Sequence, residues 1–196
     1  MNRIKGRKLW IIHSKDGYFC TINHQNRTSS WEQRKLGDFG SVEMCKRIYK
    51  EQTSDSGDIP FFKIGTFGGK PDAFISYELF QQYRSQYPYP KPETLLISAA
   101  GSIGRIVKHA GEEAYYQDSN IVWLEHDDKL DDGFLATVFE RHNWSTLEGS
   151  TIKRLYNKDI LEFEIHVPTI DEQWVIGNLF ASLDSLITLH LREPSL

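Results

Sequence analysis

Residues 161–167 alternate with a period of two and run directly into a helical period. Leu161, Phe163, Ile165 and Val167 interleave with Glu162, Glu164 and His166. In an extended chain this puts one apolar and one wet face on opposite sides. Such a strand needs a sheet beside it and a packed layer over its apolar face. His166 falls on the wet face as a surface histidine. Pro168 ends the strand, and Thr169 and Glu172 have the spacing of a capping box, Thr side chain to the third amide and Glu back to the cap. Ile176, Leu179, Leu183, Leu186 and His190 then follow steps of 3, 4, 3 and 4, a heptad seam that Phe180 and Ile187 widen. Barely two heptads are present, so the same spacing also describes an amphipathic helix lying on its own domain. Pro194 closes the helix.

Other stretches fill in the domain. Ile59 to Ile64 is a short apolar and aromatic run with Pro60 near its start, as an edge strand permits. Leu95 to Ala100 and Ile121 to Leu124 read as buried strands. Tyr77 to Tyr83 is a candidate helix ahead of Pro88 and Pro90, which cannot continue one. Phe134, Leu135, Val138 and Phe139 have helical spacing over 133–142. Residues 1–30 read as a polar leader, and Trp31 opens the folded part. The expected fold class is α+β: a strand-rich domain over 31–168, then a short coiled-coil-type helix over 169–196.

The net charge of −4 is unevenly spread. Residues 1–50 hold 11 Lys/Arg and 4 Asp/Glu, whereas residues 112–148 carry ten acids and two bases. A chain polarised in this way can still present one basic face to phosphates, although a solvated surface with random asymmetry has the same composition. No apolar run spans a bilayer, and Leu9 to Ile12 is too short for a signal-peptide core, so no membrane association is expected. Cys20 and Cys45 lack metal-ligand spacing, and both read as free thiols in a reducing cytoplasm. The seven histidines have no HxH or HxxxH spacing, so no metal is expected. No Asn/Asp-Pro-Pro-aromatic loop of an amino-methyltransferase occurs. Lys70 is followed by Pro71 where a P-loop needs Ser or Thr. A calcium loop around Gly133 would put Leu130 and Phe139 at ligand positions.

Two segments suggest binding. Gly101 to Arg105 follows a buried strand. Its two glycines allow a ligand to approach the backbone, and Arg105 adds a charge-assisted donor, though a tight turn between strands has the same sequence. Gly149 to Lys158 combines hydroxyls, Lys153, Arg154, Lys158 and Tyr156, as a phosphate-contact strip or an ordinary basic turn.

Six stretches taken in order resemble type I restriction-modification specificity subunits: WEQRKLGD at Trp31–Asp38, IPFFKIGT at Ile59–Thr66, AGSIGR at Ala100–Arg105, YYQDSNIVW at Tyr115–Trp123, DEQ at Asp171–Gln173 and LDSLITLH at Leu183–His190. The resemblance implies a half-subunit, one target recognition domain with a stub of helical spacer. A full subunit has two such domains whose spacers pack antiparallel. The chain departs from the family in its single domain, in a helix that stops at Pro194, in its first 30 residues, and in having Thr169 where a second proline is more common.

The implied function is sequence-specific recognition of double-stranded DNA, without catalysis. Modification subunits would methylate adenine with their own S-adenosylmethionine, this chain holding no cofactor, and a restriction subunit would join through the assembled complex. The alternative is a truncated remnant that binds modification subunits without reading DNA productively. Lys153, Arg154, Lys158, Arg105 and the backbone around Ser102 and Gly104 are expected at phosphates. Lys63 and Arg105 are expected at guanine, Gln117 and Asn120 at adenine, and Thr66 and Phe67 at a thymine methyl. Tyr115 and Tyr116 either touch sugar or pack. Ile176, Leu179, Leu183, Leu186 and Ile187 are the expected helix interface, to partners or in a weak homodimer.

Overall fold

In the computed structural model residues 31–142, 144 and 154–192 are described; the expected leader over 1–30, Lys153 and Pro194 lie outside that set. The chain runs through β1 (Glu32–Lys35), β2 (Gly40–Glu43), β3 (Ile59–Phe62), β4 (Phe74–Ile75) and α1 (Tyr77–Gln86). A hairpin of β5 (Leu95–Ser98) and β6 (Ile106–Lys108) follows, then β7 (Tyr115–Tyr116), β8 (Ile121–His126), α2 (Asp132–Arg141), α3 (Asn157–Leu161), β9 (Glu164–Val167) and α4 (Ile170–Arg192). The fold is α+β.

An antiparallel sheet in the order β2-β8-β5-β6 has a core on each face. Its register places Ile97 opposite Val122 and Leu96 opposite Trp123. Ile97 and Val122 pack with Phe134, Leu135 and Ile160 of α2 and α3. Leu96 and Trp123 pack the other way, with Phe61, Phe80 and Tyr115. Both faces being buried, these strands read as continuous apolar runs. The second core is closed by a three-stranded sheet, β4-β3-β7, in which β3 and β7 are parallel. β1 pairs antiparallel with β9, joining the two ends of the domain.

Two strand expectations change. β3 lies between β4 and β7 rather than at an edge. Pro60 is tolerated there because the ladder resumes at Phe61, whose amide donates to the Ala73 carbonyl at 2.8 Å. The strand expected over 161–167 is confined to Glu164–Val167, because Asp159 accepts from the Tyr156 amide at 2.8 Å and caps a short helix that consumes Leu161. The in–out pattern survives: Ile165 and Val167 are buried, His166 exposed.

α4 packs against α2 through its first turns. Gln173, 1% exposed, accepts from the Asp131 amide at 2.9 Å and donates to the carbonyls of Lys129 (3.0 Å) and Pro168 (3.1 Å). One turn on, a Cβ at Gly177 would lie 2.7 Å from the Gly133 carbonyl carbon, so the helices cross backbone to backbone. The Arg141 guanidinium covers the Phe180 ring at 4.6 Å. At the helix start, the Thr169 amide and hydroxyl both donate to Glu172, at 3.1 and 2.9 Å. Ile176 turns toward the core, whereas Leu179, Leu183, Leu186 and Ile187 are 43–62% exposed on another face. No helix among the described residues is long and apolar enough to cross a membrane.

Candidate nucleic-acid interface

Four segments distant in sequence are tied together where β3, β5 and β7 end. They are the β3–β4 loop, the β5–β6 turn, the β7–β8 turn and the chain entering α3. The Ala99 amide donates to the Asn120 carbonyl at 2.7 Å, and the Leu155 amide to the Ala99 carbonyl at 2.9 Å. The Ile64 amide donates to Gln117 Oε1 at 2.9 Å. Two arginines complete the bracing: Arg105 Nη1 donates to the Phe67 carbonyl at 2.7 Å, and Arg154 donates to the Ser119 carbonyl (2.5 Å) and to Asn120 Oδ1 (3.3 Å). Ser119 has a positive φ of 55°, and an arginine on its carbonyl helps hold a backbone conformation that serine seldom adopts.

The β5–β6 turn folds on itself. Gly101 and Gly104 have φ of 64° and 78°. Buried Ser98 donates its hydroxyl to the Ser102 carbonyl and accepts the Arg105 amide at 2.8 Å, while the Gly104 amide donates to the Ser98 carbonyl at 2.9 Å and the Ile103 amide to the Gly101 carbonyl at 3.0 Å. Of the expected phosphate cradle, the amides of Ile103, Gly104 and Arg105 are consumed within the turn. Gly104 is needed because any Cβ there would run into Trp144. Ser102 itself is exposed.

Phe67 is also corrected. At 1% exposure it is a core residue beside Trp123 and Tyr115, and meets no thymine methyl. Thr66 stays partly exposed, its hydroxyl accepting from the Lys63 amide at 3.1 Å. Lys63 pairs with Asp72 at 2.8 Å on the surface. Gln117 and Asn120 each spend a side-chain oxygen on bracing. Tyr115 and Tyr116, 1% and 2% exposed, both pack, and burial pushes their phenol pKa values upward. Lys158 stands apart on α3, 3.7 Å from Glu162.

Sequence reasoning missed three features. Arg47 reaches across to Asp118 at 2.8 Å; nothing local signals a pair 71 residues apart. Gly68 has a φ of 72° beside Val107 and Arg105, and the Gly68-Gly69 pair was a readable turn signal. Lys70 is exposed at the end of that turn. Among the described residues no group of three His, Cys, Asp or Glu is placed to hold a metal ion. Burial pushes the Cys45 thiol up to about 12, which makes it unreactive.

Comparison with known proteins gives a consistent picture. Residues 28–195 match the family model of the type I restriction modification DNA specificity domain. A putative type I restriction enzyme specificity subunit of Haemophilus influenzae, S.HindORF215P, is 50% identical over 153 residues, 78% of this chain and 40% of that protein. The chain thus spans less than half the length of that relative. The HsdS subunit of Thermoanaerobacter tengcongensis superposes with a TM-score of 0.62 at 16% identity, over 87% of this chain and 42% of that one. The type I restriction-modification S subunit of M. genitalium superposes at 0.56 and 21% identity, over 83% and 41%. A chain from a structure concerned with assembly and conformational transition of a type I R-M system reaches 0.65 at 17% identity, over 87% and 42%. At these identities the structures share the fold.

Proposed function

As the chain belongs to the family of type I restriction modification DNA specificity domains, we propose that its braced loop cluster reads one half of a split target in double-stranded DNA. The observation that carries this reading is the convergence of four segments onto one surface, held by Arg105, Gln117 and Arg154. A reader must hold its side chains within a fraction of an ångström of the base edges, and loops braced from several sides lose less entropy on binding. Thr66, Ser102 and the unused donors of Gln117 are the groups this surface offers to bases. The chain contributes no catalytic step. It directs modification subunits, which bring their own S-adenosylmethionine, to methylate the target in the cytoplasm, and a restriction subunit acts through the assembled complex. The exposed stripe of Leu179, Leu183, Leu186 and Ile187 supplies the contact to modification subunits. Alone it supports only a weak homodimer, since each apolar side chain contributes about 1.5–3 kcal/mol against the cost of association.

The test is selection of a random-sequence duplex pool by the chain assembled with its modification subunit, at two salt concentrations. Enrichment of a short motif that persists at the higher salt is expected. Uniform binding that vanishes with salt would leave only phosphate attraction and overturn the reading.

A further inference from the structure

We propose that Lys70 is the phosphate contact of the β3–β4 loop, and that Arg105 acts through it as a positioning residue, by holding the Phe67 carbonyl. This rests on the DNA reading above and adds a division of labour within it. The loop contains three charged side chains, Lys63, Lys70 and Asp72. Lys63 and Asp72 neutralise each other at 2.8 Å. Lys70 is exposed and forms no ion pair among the described residues, so it carries the net charge of the loop.

The backbone that presents Lys70 is fixed from several directions. Phe67 plugs the second core. The Thr66 amide donates to the Lys63 carbonyl at 3.0 Å and the Gly69 amide to the Thr66 carbonyl at 2.9 Å, which closes two successive turns. Gln117 holds the Ile64 amide. Arg105 meets the loop three residues before Lys70: Nη1 lies 2.7 Å from the Phe67 carbonyl oxygen. A Cβ at Gly68 would fall 3.1 Å from Val107 Cγ2 and 3.6 Å from Arg105 Cδ, in a left-handed backbone that only glycine adopts readily. Gly68 and Arg105 are therefore two halves of one seat. Gly69 leaves the tip without side chains, so a phosphate can come close to the backbone as it meets the lysine.

Salt dependence separates the roles, because each neutralised phosphate contributes a slope of about 0.9 in log K against log salt. The assembled complex is titrated with one duplex recovered from the pool, using the unsubstituted chain, Lys70→Ala, Arg105→Ala, Gly68→Ala and the Lys70→Ala/Arg105→Ala pair. Thermal unfolding of each confirms that it is folded. Lys70→Ala is expected to lower the slope by about 0.9. Arg105→Ala should do the same, and Gly68→Ala also, although it removes no charge. The double variant should lose no more than either single one. A double variant that loses about twice as much would give Arg105 its own phosphate and overturn the proposal. An unchanged slope in Lys70→Ala would overturn it too. Gly68→Ala and Arg105→Ala disturb the seat by different routes, so folding of either suffices. If the unsubstituted chain selects no duplex, the DNA reading fails and takes this inference with it; a selected duplex with the wrong slopes sinks this inference alone.

Discussion

Replacing one nitrogen by oxygen at Gln173 tests the account of how α4 is fastened to the domain. Gln173→Glu keeps shape and volume. It also keeps an acceptor for the Asp131 amide, 2.9 Å away. It removes both donors that now meet the Lys129 and Pro168 carbonyls at 3.0 and 3.1 Å, and sets a carboxylate oxygen against them. A buried polar group left without its partner costs about 1–3 kcal/mol, more when a charge is involved. With two carbonyls affected and the site 1% exposed, the loss at neutral pH is about 3–5 kcal/mol, a large part of the stability of a typical domain. The pH dependence has a definite sign. Burial and the two carbonyls disfavour the anion, so the introduced carboxyl has a higher pKa folded than unfolded. The variant is therefore closest to wild type below the unfolded value, about 4.3, and falls behind as pH rises through the folded value. Urea unfolding of both proteins at acidic and mildly alkaline pH measures the gap. A gap below about 1 kcal/mol that does not widen with pH would refute the buried three-bond role of Gln173.

Two further perturbations probe other parts of the molecule. Phe67→Ala should cost about 3–5 kcal/mol in thermal or urea unfolding, because the ring lies in the second core; a variant that unfolds like wild type but loses DNA binding would return Phe67 to the interface. His126 is pushed down by burial, but its bonds to Asp132 (3.2 Å) and to the Asp127 carbonyl together raise its pKa. Its contribution to stability is then full below the ordinary value near 6.5 and lost as pH rises through the raised folded value; unfolding followed from pH 5 to 9 should show this decline in wild type, and a much flatter profile in Asp132→Asn.

What the sequence made legible follows the range of the interactions. Helices α1 and α2 were readable because their caps and apolar faces are local: Ser76 accepts from the Leu79 amide, Asp131 from the Phe134 amide. The alternation at Ile165 and Val167 was readable for the same reason. Pairing was not. That β1 meets β9, or that β3 sits between β4 and β7, depends on contacts across much of the chain. Resemblance singled out loop residues that the fold brings together, yet composition cannot distinguish an arginine aimed at a phosphate from one holding a carbonyl. Arg154, read as a phosphate contact, spends its guanidinium on Ser119 and Asn120. Phe67, read as a base contact, is consumed by the core. In both cases the residue type was informative about chemistry and silent about direction.

The two faces of α4 have different surroundings. One face is fixed to α2 by the Gln173 bonds and by the Gly133–Gly177 crossing, where added volume would meet backbone rather than a movable side chain. The other carries the free stripe of Leu179, Leu183 and Leu186. The sheet lies between this junction and the loops: Val122 packs with Phe134 of α2 on one side of β8, and the same strand leads back to the Ser119–Asn120 turn that Arg154 holds. A helix joined by a flexible link would let the loops wander relative to the stripe. A helix seated backbone to backbone transmits position. Gln173 and Gly177 thus fix where α4 leaves the domain, and under the proposed function whatever grips the exposed stripe is held in register with the loops.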